Sequence, residues 1–252
     1  MPAEALQPPP AADEVHLWTV PCEGDAAVAE ALLGALSARE RARAGRLVRA
    51  ADRHAFVIGR ARVRQVLAAY VGQPPAALDV VARVGDKPVL AGAPAWLDFS
   101  FSRCAALHVC AVASRRRVGV DVETVGTGRD AEAIAAVYFT ADERSWLAGL
   151  APAERPAAFA DLWVKKEAFV KAIGAGLAWP LDAILVPRGP RGHSGPVVAP
   201  GEPDGRSWCV ETFTPSDAAA TPAAAWVGAV AAEGEWRLTR RTWPDPPALR
   251  AR

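Results

Sequence analysis

The run Arg117-Val118-Gly119-Val120-Asp121-Val122-Glu123 alternates with a period of two. That spacing predicts a strand with Val118, Val120 and Val122 turned toward a core and Gly119, Asp121 and Glu123 turned the other way. The two carboxylates then stand roughly 7 Å apart along one face, on either side of a residue without bulk. Both can reach a single hard cation through oxygen, the ligand type that magnesium takes. A D-x-E pair also occurs on ordinary solvent-facing strands, so this segment alone does not settle its chemistry.

A second segment, Trp163 to Leu177, predicts a helix with Trp163, Glu167 and Lys171 on one stripe at four-residue spacing. Glu167 can supply a third carboxylate to a cation and Lys171 can hold a phosphate oxygen. The same spacing is equally that of a plain i,i+4 Glu–Lys pair. A third segment, Phe99-Ser100-Phe101-Ser102-Arg103, predicts a strand whose serines share a face, and Gly85-Asp86-Lys87-Pro88 before it reads as a turn presenting a lysine.

Around these segments the pattern is mixed. Val15–Val20 suits a strand. Ser37 with Glu40 forms a capping-box signature ahead of a basic helix carrying Arg39, Arg41, Arg43, Arg46 and Arg49. A longer helix is expected over Asp52–Val71, ended by Gly72. Strands are expected over 80–84, 97–102, 107–112 and 118–124, with Ser114–Arg117 a solvated hairpin turn. Helices follow near 131–137, from Thr140 (capped with Glu143), and over 157–173, the last ended by Gly174. Late strands are expected over 185–187, 208–212 and 223–231, and the Gly/Pro-dense stretch 187–206 reads as a loop. Phe56, Arg60 and Arg64 echo the spacing of Trp163, Glu167 and Lys171, a faint sign of two similar halves.

With 252 residues and a net charge of +1, the chain can bury a large core but has no global field for nucleic acid or an anionic membrane. The four cysteines include no C-x-x-C pair; Cys104, His108 and Cys110 read as small residues in an apolar strand run rather than as metal ligands. Met1–Glu14 lacks the basic start and apolar stretch of a signal peptide. No apolar run is long enough to span a bilayer. A cytoplasmic location is expected.

In the order basic helix, Lys-Pro turn, Phe-Ser strand, paired carboxylates, Glu167 and Lys171, the sequence resembles the Sfp-type 4′-phosphopantetheinyl transferases over about residues 36–186. The segments 118–123 and 163–177 look like that family's G-[IV]-D-[IV]-E and W-x-x-K-E-A-x-x-K-x-x-G-x-G-L motifs. The resemblance implies an α/β (α+β) fold of two similar α/β halves related by a pseudo-twofold axis, with coenzyme A between them. The expected division is a flexible tail over 1–12, halves over 13–115 and 116–242, and a C-terminal tail over 243–252.

It further implies Mg2+ (Mn2+ as a substitute) held by Asp121, Glu123 and Glu167, with coenzyme A as co-substrate. Asp121, Glu167 and Lys171 would be the catalytic residues. Arg43, Lys87, Ser102, Arg103 and Lys171 would bind coenzyme A, Arg43 at the 3′-phosphate and Lys171 at the pyrophosphate. The partners implied are apo acyl or peptidyl carrier proteins, with no nucleic acid and no membrane, and the expected state is a monomer. Two positions depart from the family pattern. Arg103 stands where the family has histidine, which keeps a cation but removes a titrating group. Asp86 replaces a glycine beside Lys87. Two alternatives stay open: a catalytically silent module that binds carrier protein or coenzyme A, and a metal-dependent nuclease.

Overall fold

The computed structural model describes residues 7–22, 24–81, 87–104, 107–126, 130–176, 179–189, 194–202, 205–214 and 226–242. In chain order its elements are β1 Glu14–Pro21, α1 Ala26–Leu32, α2 Ala38–Gly45, α3 Ala50–Val71, β2 Val80–Val81, β3 Val89–Leu90, β4 Leu97–Cys104 and β5 Leu107–Ser114. Then come β6 Val118–Thr124, α4 Ala131–Tyr138, α5 Ala141–Gly149, α6 Arg155–Ile173, β7 Gly195–Val197, β8 Trp208–Phe213, β9 Trp226–Glu233 and β10 Arg237–Thr242.

Two four-stranded sheets organise the chain, in the orders β10-β1-β5-β4 and β6-β9-β8-β7. Alternation along the strands splits their side chains between two layers. Val15 and Leu17 of β1, Val109 and Ala111 of β5, and Val118, Val120 and Val122 of β6 form one shared apolar cluster. The opposite face of the first sheet, with Trp18, Phe99 and Val112, packs with Val63, Val66 and Tyr70 of α3. The second sheet packs its other face, through Val210 and Ala229, with Phe169 and Val164 of α6. Each half is thus an antiparallel-rich sheet under one long helix, the α+β arrangement of two similar halves.

The two sheets meet where β4 and β6 lie side by side, joined by side chains rather than by a ladder. Ser100 Oγ accepts from Val120 N at 3.2 Å, and Asp98 Oδ2 accepts from Val118 N at 3.1 Å. This junction brings the Phe-Ser strand and the acidic strand together.

Local signals account for the helices. Ser37 and Thr140 each close a capping box, with Glu40 and Glu143. Gly72 and Gly174 end α3 and α6 in the left-handed conformation, φ 68° and 75°, that a residue without Cβ takes at little cost. On the inner side of α6, Gly119 of β6 is what lets the helix settle: a Cβ there would stand 2.0 Å from Ala168 O and 2.4 Å from Ala172 N.

Several expectations of local structure change. Ser114–Arg117 is not a solvated hairpin, because β5 pairs with β1 and β4 whereas β6 pairs with β9. Arg116 Nη1 donates to Glu233 O at 2.6 Å, and Arg117 Nε to Glu233 Oε1 at 2.6 Å, so the basic residues clamp the crossing between sheets. β10, within the expected second half, pairs in parallel with β1 of the first. Within the expected N-terminal tail, Gln7 N donates to Ala69 O at 2.8 Å, tying that part to the end of α3. The 185–187 strand is reduced to one bridge, Leu185 with Val198, and the 187–206 loop contains β7. Residues 1–6, 82–86, 223–225 and 243–252, on which other expectations fell, lie outside the described residues. No described helix is long and apolar enough to cross a membrane.

Candidate active site

A cleft of about 820 Å³ opens where α2, α3, β4, β6 and α6 converge. One wall is acidic: Asp121 and Glu123 from β6 and Glu167 from α6. The other is basic: Arg39 and Arg43 from α2, Arg46 just past its end, Arg60 from α3 and Arg103 from β4. Ser102, Phe101, His108, Trp163 and Lys171 complete the lining. The strand period and the helix stripe bring the expected carboxylates and lysine to one place, since β6 and α6 are in direct register across Gly119.

At the floor of the cleft, Lys171 Nζ lies 2.5 Å from Asp121 Oδ1 and donates to Ser102 Oγ at 3.1 Å. The Ser102 hydroxyl in turn donates to Asp121 Oδ1 at 2.8 Å. Asp121 is 3 % exposed, and its second oxygen, Oδ2, is buried without a hydrogen-bond partner among the described residues. An ionised carboxylate so placed is costly unless cations face it, and Lys171 supplies one.

The basic wall is built on Glu40. This residue closes the α2 capping box and also accepts from Arg60 Nε at 3.0 Å and pairs with Arg64 Nη1 at 3.0 Å. Burial pushes the Glu40 carboxyl up, but Arg60, the Ser37 backbone N–H and Arg64 outweigh it and hold the carboxyl below its usual range. Arg60 then lies over the Phe101 ring at 4.6 Å, and Arg43 over Phe56 at 5.2 Å. The guanidinium groups are therefore presented to the cleft by aromatic faces.

Of the site residues expected from sequence, Arg43, Ser102, Arg103, Asp121, Glu123, Glu167 and Lys171 line this cleft. Lys87 does not. Its ammonium sits 2.6 Å from Asp98 Oδ2 at the far end of β4, and burial works against its charge while Asp98 restores it. That ion pair lies at the β4–β6 junction, where Asp98 also caps Val118 N. Asp86 lies outside the described residues. The motif lysines 165 and 166 point away from the cleft into the core: Lys166 Nζ meets Glu143 Oε2 at 2.9 Å and Ile184 O at 2.6 Å, and Lys165 Nζ meets Asp161 Oδ2 at 2.7 Å.

The family model of the 4′-phosphopantetheinyl transferase superfamily (ACPS) matches residues 117–228, the segment containing the acidic strand and α6. The 4′-phosphopantetheinyl transferase HetI of a Nostoc species is 33 % identical over 168 residues, covering 66 % of this chain and 71 % of that protein. A 4′-phosphopantetheinyl transferase of Bacillus subtilis is 32 % identical over 178 residues, covering 71 % and 76 %. The transferase gsp of Aneurinibacillus migulanus is 32 % identical over 90 residues, covering 36 % and 37 %. This chain belongs to the 4′-phosphopantetheinyl transferase family.

For a family member, the acidic wall is the place to ask whether a magnesium ion would fit. Among the described residues no group of three His, Cys, Asp or Glu is drawn tightly enough together to hold a metal. The donor chemistry fits nonetheless: three carboxylates line the one cleft, and Asp121 Oδ2 is a buried oxygen awaiting a partner. Lys171 meanwhile neutralises Asp121 from the other side.

Arg39, Arg46, Arg60, Phe101 and His108 are cleft residues that the sequence did not assign to the site. Arg39, Arg43 and Arg46 follow a helical i, i+4, i+7 spacing that was legible. Arg60 needed the tertiary link to Glu40, and His108 needed the β4–β5 pairing that sets it opposite Arg103.

Proposed function

We propose that this chain transfers the 4′-phosphopantetheine arm of coenzyme A to a serine of apo acyl or peptidyl carrier proteins, releasing adenosine 3′,5′-bisphosphate. The observation that carries the reading is the two-walled cleft, with arginines for a polyanionic nucleotide on one side and carboxylates with Lys171 on the other. A monomer acting in the cytoplasm, with neither nucleic acid nor membrane as partner, is the setting of this reading.

In the reaction the carrier serine oxygen forms a bond to the β-phosphorus of coenzyme A. The bond from that phosphorus to the bridging oxygen breaks, and the adenosine 3′,5′-bisphosphate departs. Arg43, Arg60 and Arg103 hold the anionic nucleotide, with guanidinium forks suited to phosphate oxygens. Lys171, at the floor, stabilises charge developing on the pyrophosphate. Glu167, half-buried one helical turn from Lys171, takes the proton of the serine hydroxyl. Magnesium held by Asp121, Glu123 and Glu167 would supply further neutralisation of the pyrophosphate. Ser102 orients Asp121 through its hydroxyl. Such a transfer rests on positioning and electrostatics more than on covalent participation by the protein.

The test is release of adenosine 3′,5′-bisphosphate from coenzyme A, followed by chromatography. The reading requires release only when an apo carrier is present, and none when its acceptor serine is replaced by alanine. Release without carrier would make the chain a hydrolase instead.

A further inference from the structure

We propose that His108 is a substrate-binding residue of the cleft, whose imidazole donates a hydrogen bond to a phosphate oxygen at the nucleotide end of coenzyme A. This rests on the coenzyme A reading above and goes beyond it by assigning a residue that the motifs leave out.

His108 stands on β5 directly opposite Arg103 of β4, and its ring lines the cleft while being only 3 % exposed. Its Nδ1 is buried with no hydrogen-bond partner among the described residues. A buried polar atom left unbonded costs about 1–3 kcal/mol. The next residues on this face of β5, Cys110 and Val112, belong to the apolar layer under α3. An apolar side chain at 108 would avoid the penalty, so the imidazole has a use that the unliganded protein does not display.

The helix opposite makes room for that ring. A Cβ on Gly59 of α3 would stand 2.5 Å from Cε1 and 2.6 Å from Nε2 of His108. Glycine inside a helix costs about 1 kcal/mol relative to alanine, and here its absent side chain is the space the imidazole occupies.

The surroundings select the ligand. Burial, then the charges of Arg103 and Arg60, push the imidazole down to about 3, so near neutral pH the ring keeps one N–H and one lone pair. A neutral ring opposite Arg103 and in the field of Arg60 offers that N–H to an anion which the arginines attract. Arg60 on Phe101 lies at the same end, whereas Lys171 and Asp121 occupy the β6–α6 end. The anion is therefore the phosphate-bearing nucleotide rather than the pantetheine arm.

The test is calorimetric titration of wild type, His108→Phe, His108→Gln and His108→Ala with coenzyme A and with adenosine 3′,5′-bisphosphate, with melting temperatures recorded alongside. Wild type is expected to bind both ligands. His108→Phe should weaken both about ten-fold at an unchanged or higher melting temperature, and His108→Gln, which keeps an N–H, should recover most of the loss. Binding by His108→Phe as tight as wild type would make His108 a packing residue only. A loss seen with coenzyme A but absent with the bisphosphate would overturn the assignment to the nucleotide end. Should the Phe variant fail to fold, Gln against Ala decides, and equal affinities for those two overturn the proposal. A wild type that binds neither ligand would instead remove the coenzyme A reading itself.

Discussion

Lys171 Nζ and Asp121 Oδ1 lie 2.5 Å apart, joining the end of α6 to the middle of β6 across the floor of the cleft. The aspartate is almost wholly enclosed, whereas the lysine side chain is 31 % exposed, so the ammonium faces both a buried carboxylate and the open site. It can leave the first for an incoming phosphate without being desolvated again. Asp121→Ala should abolish transfer, and Lys171→Met should lower kcat by about 10²–10³-fold. Both variants should keep a cooperative thermal melt. Steady-state kinetics with calorimetry checks both statements, and near-normal turnover by Asp121→Ala would contradict the site.

Gly119→Ala tests the register between β6 and α6. The added methyl would stand 2.0 Å from Ala168 O, and that atom is helix backbone, which cannot swing aside. A loss of about 3 kcal/mol or more is expected, at the upper end of what overpacking costs. It would be seen as a lowered urea midpoint, with reduced activity because Glu167 and Lys171 move with the helix.

Lys166 should behave unlike Lys171. It is fully buried, and burial works against its charge while Glu143 and the carbonyls of Leu181 and Ile184 support it. Lys166→Ala leaves Glu143 enclosed without its cation and should cost about 3–5 kcal/mol. Replacing both partners by apolar residues should cost far less. Whatever folds should retain ordinary kinetics, because neither residue reaches the cleft.

Stability should fall with acid over a defined window. The unfolded chain protonates His108 near the ordinary histidine value of about 6.5, whereas the folded chain does so only at about 3. Between those values the unfolded state binds the extra proton, so stability present above pH 6.5 is lost as pH falls toward 3. His16 is shifted in the same direction, by burial and then by Arg241. Melting temperature against pH should therefore drop more shallowly for His108→Phe than for wild type between pH 6 and 4. Identical slopes would show that the ring is not enclosed as described.

Much of this was legible because it is local. The period of two in β6, the four-residue stripe of α6, two capping boxes and two terminal glycines each depend on residues within a turn or a strand of one another. What escaped was set by distant pairing. β10 completes the first sheet from the far end of the chain, and no feature of Arg237–Thr242 announces β1 as its neighbour. Arg116 and Arg117 look like a solvated turn until Glu233 arrives from the end of β9. The ion pair of Lys87 with Asp98, eleven residues on, likewise depends on how the turn is laid against β4. Arg60 and His108 sit on faces that look like plain helix and strand, and acquire their setting only when α3 is laid over β4 and β5.

The central claim is tested most directly by the intact mass of an apo carrier protein after incubation with this chain, coenzyme A and magnesium. The account predicts a gain of one phosphopantetheine arm on the carrier, and loss of that gain when a chelator removes the metal. No gain on any of several acyl and peptidyl carriers, from a protein that binds coenzyme A, would contradict it and leave a binding module in its place.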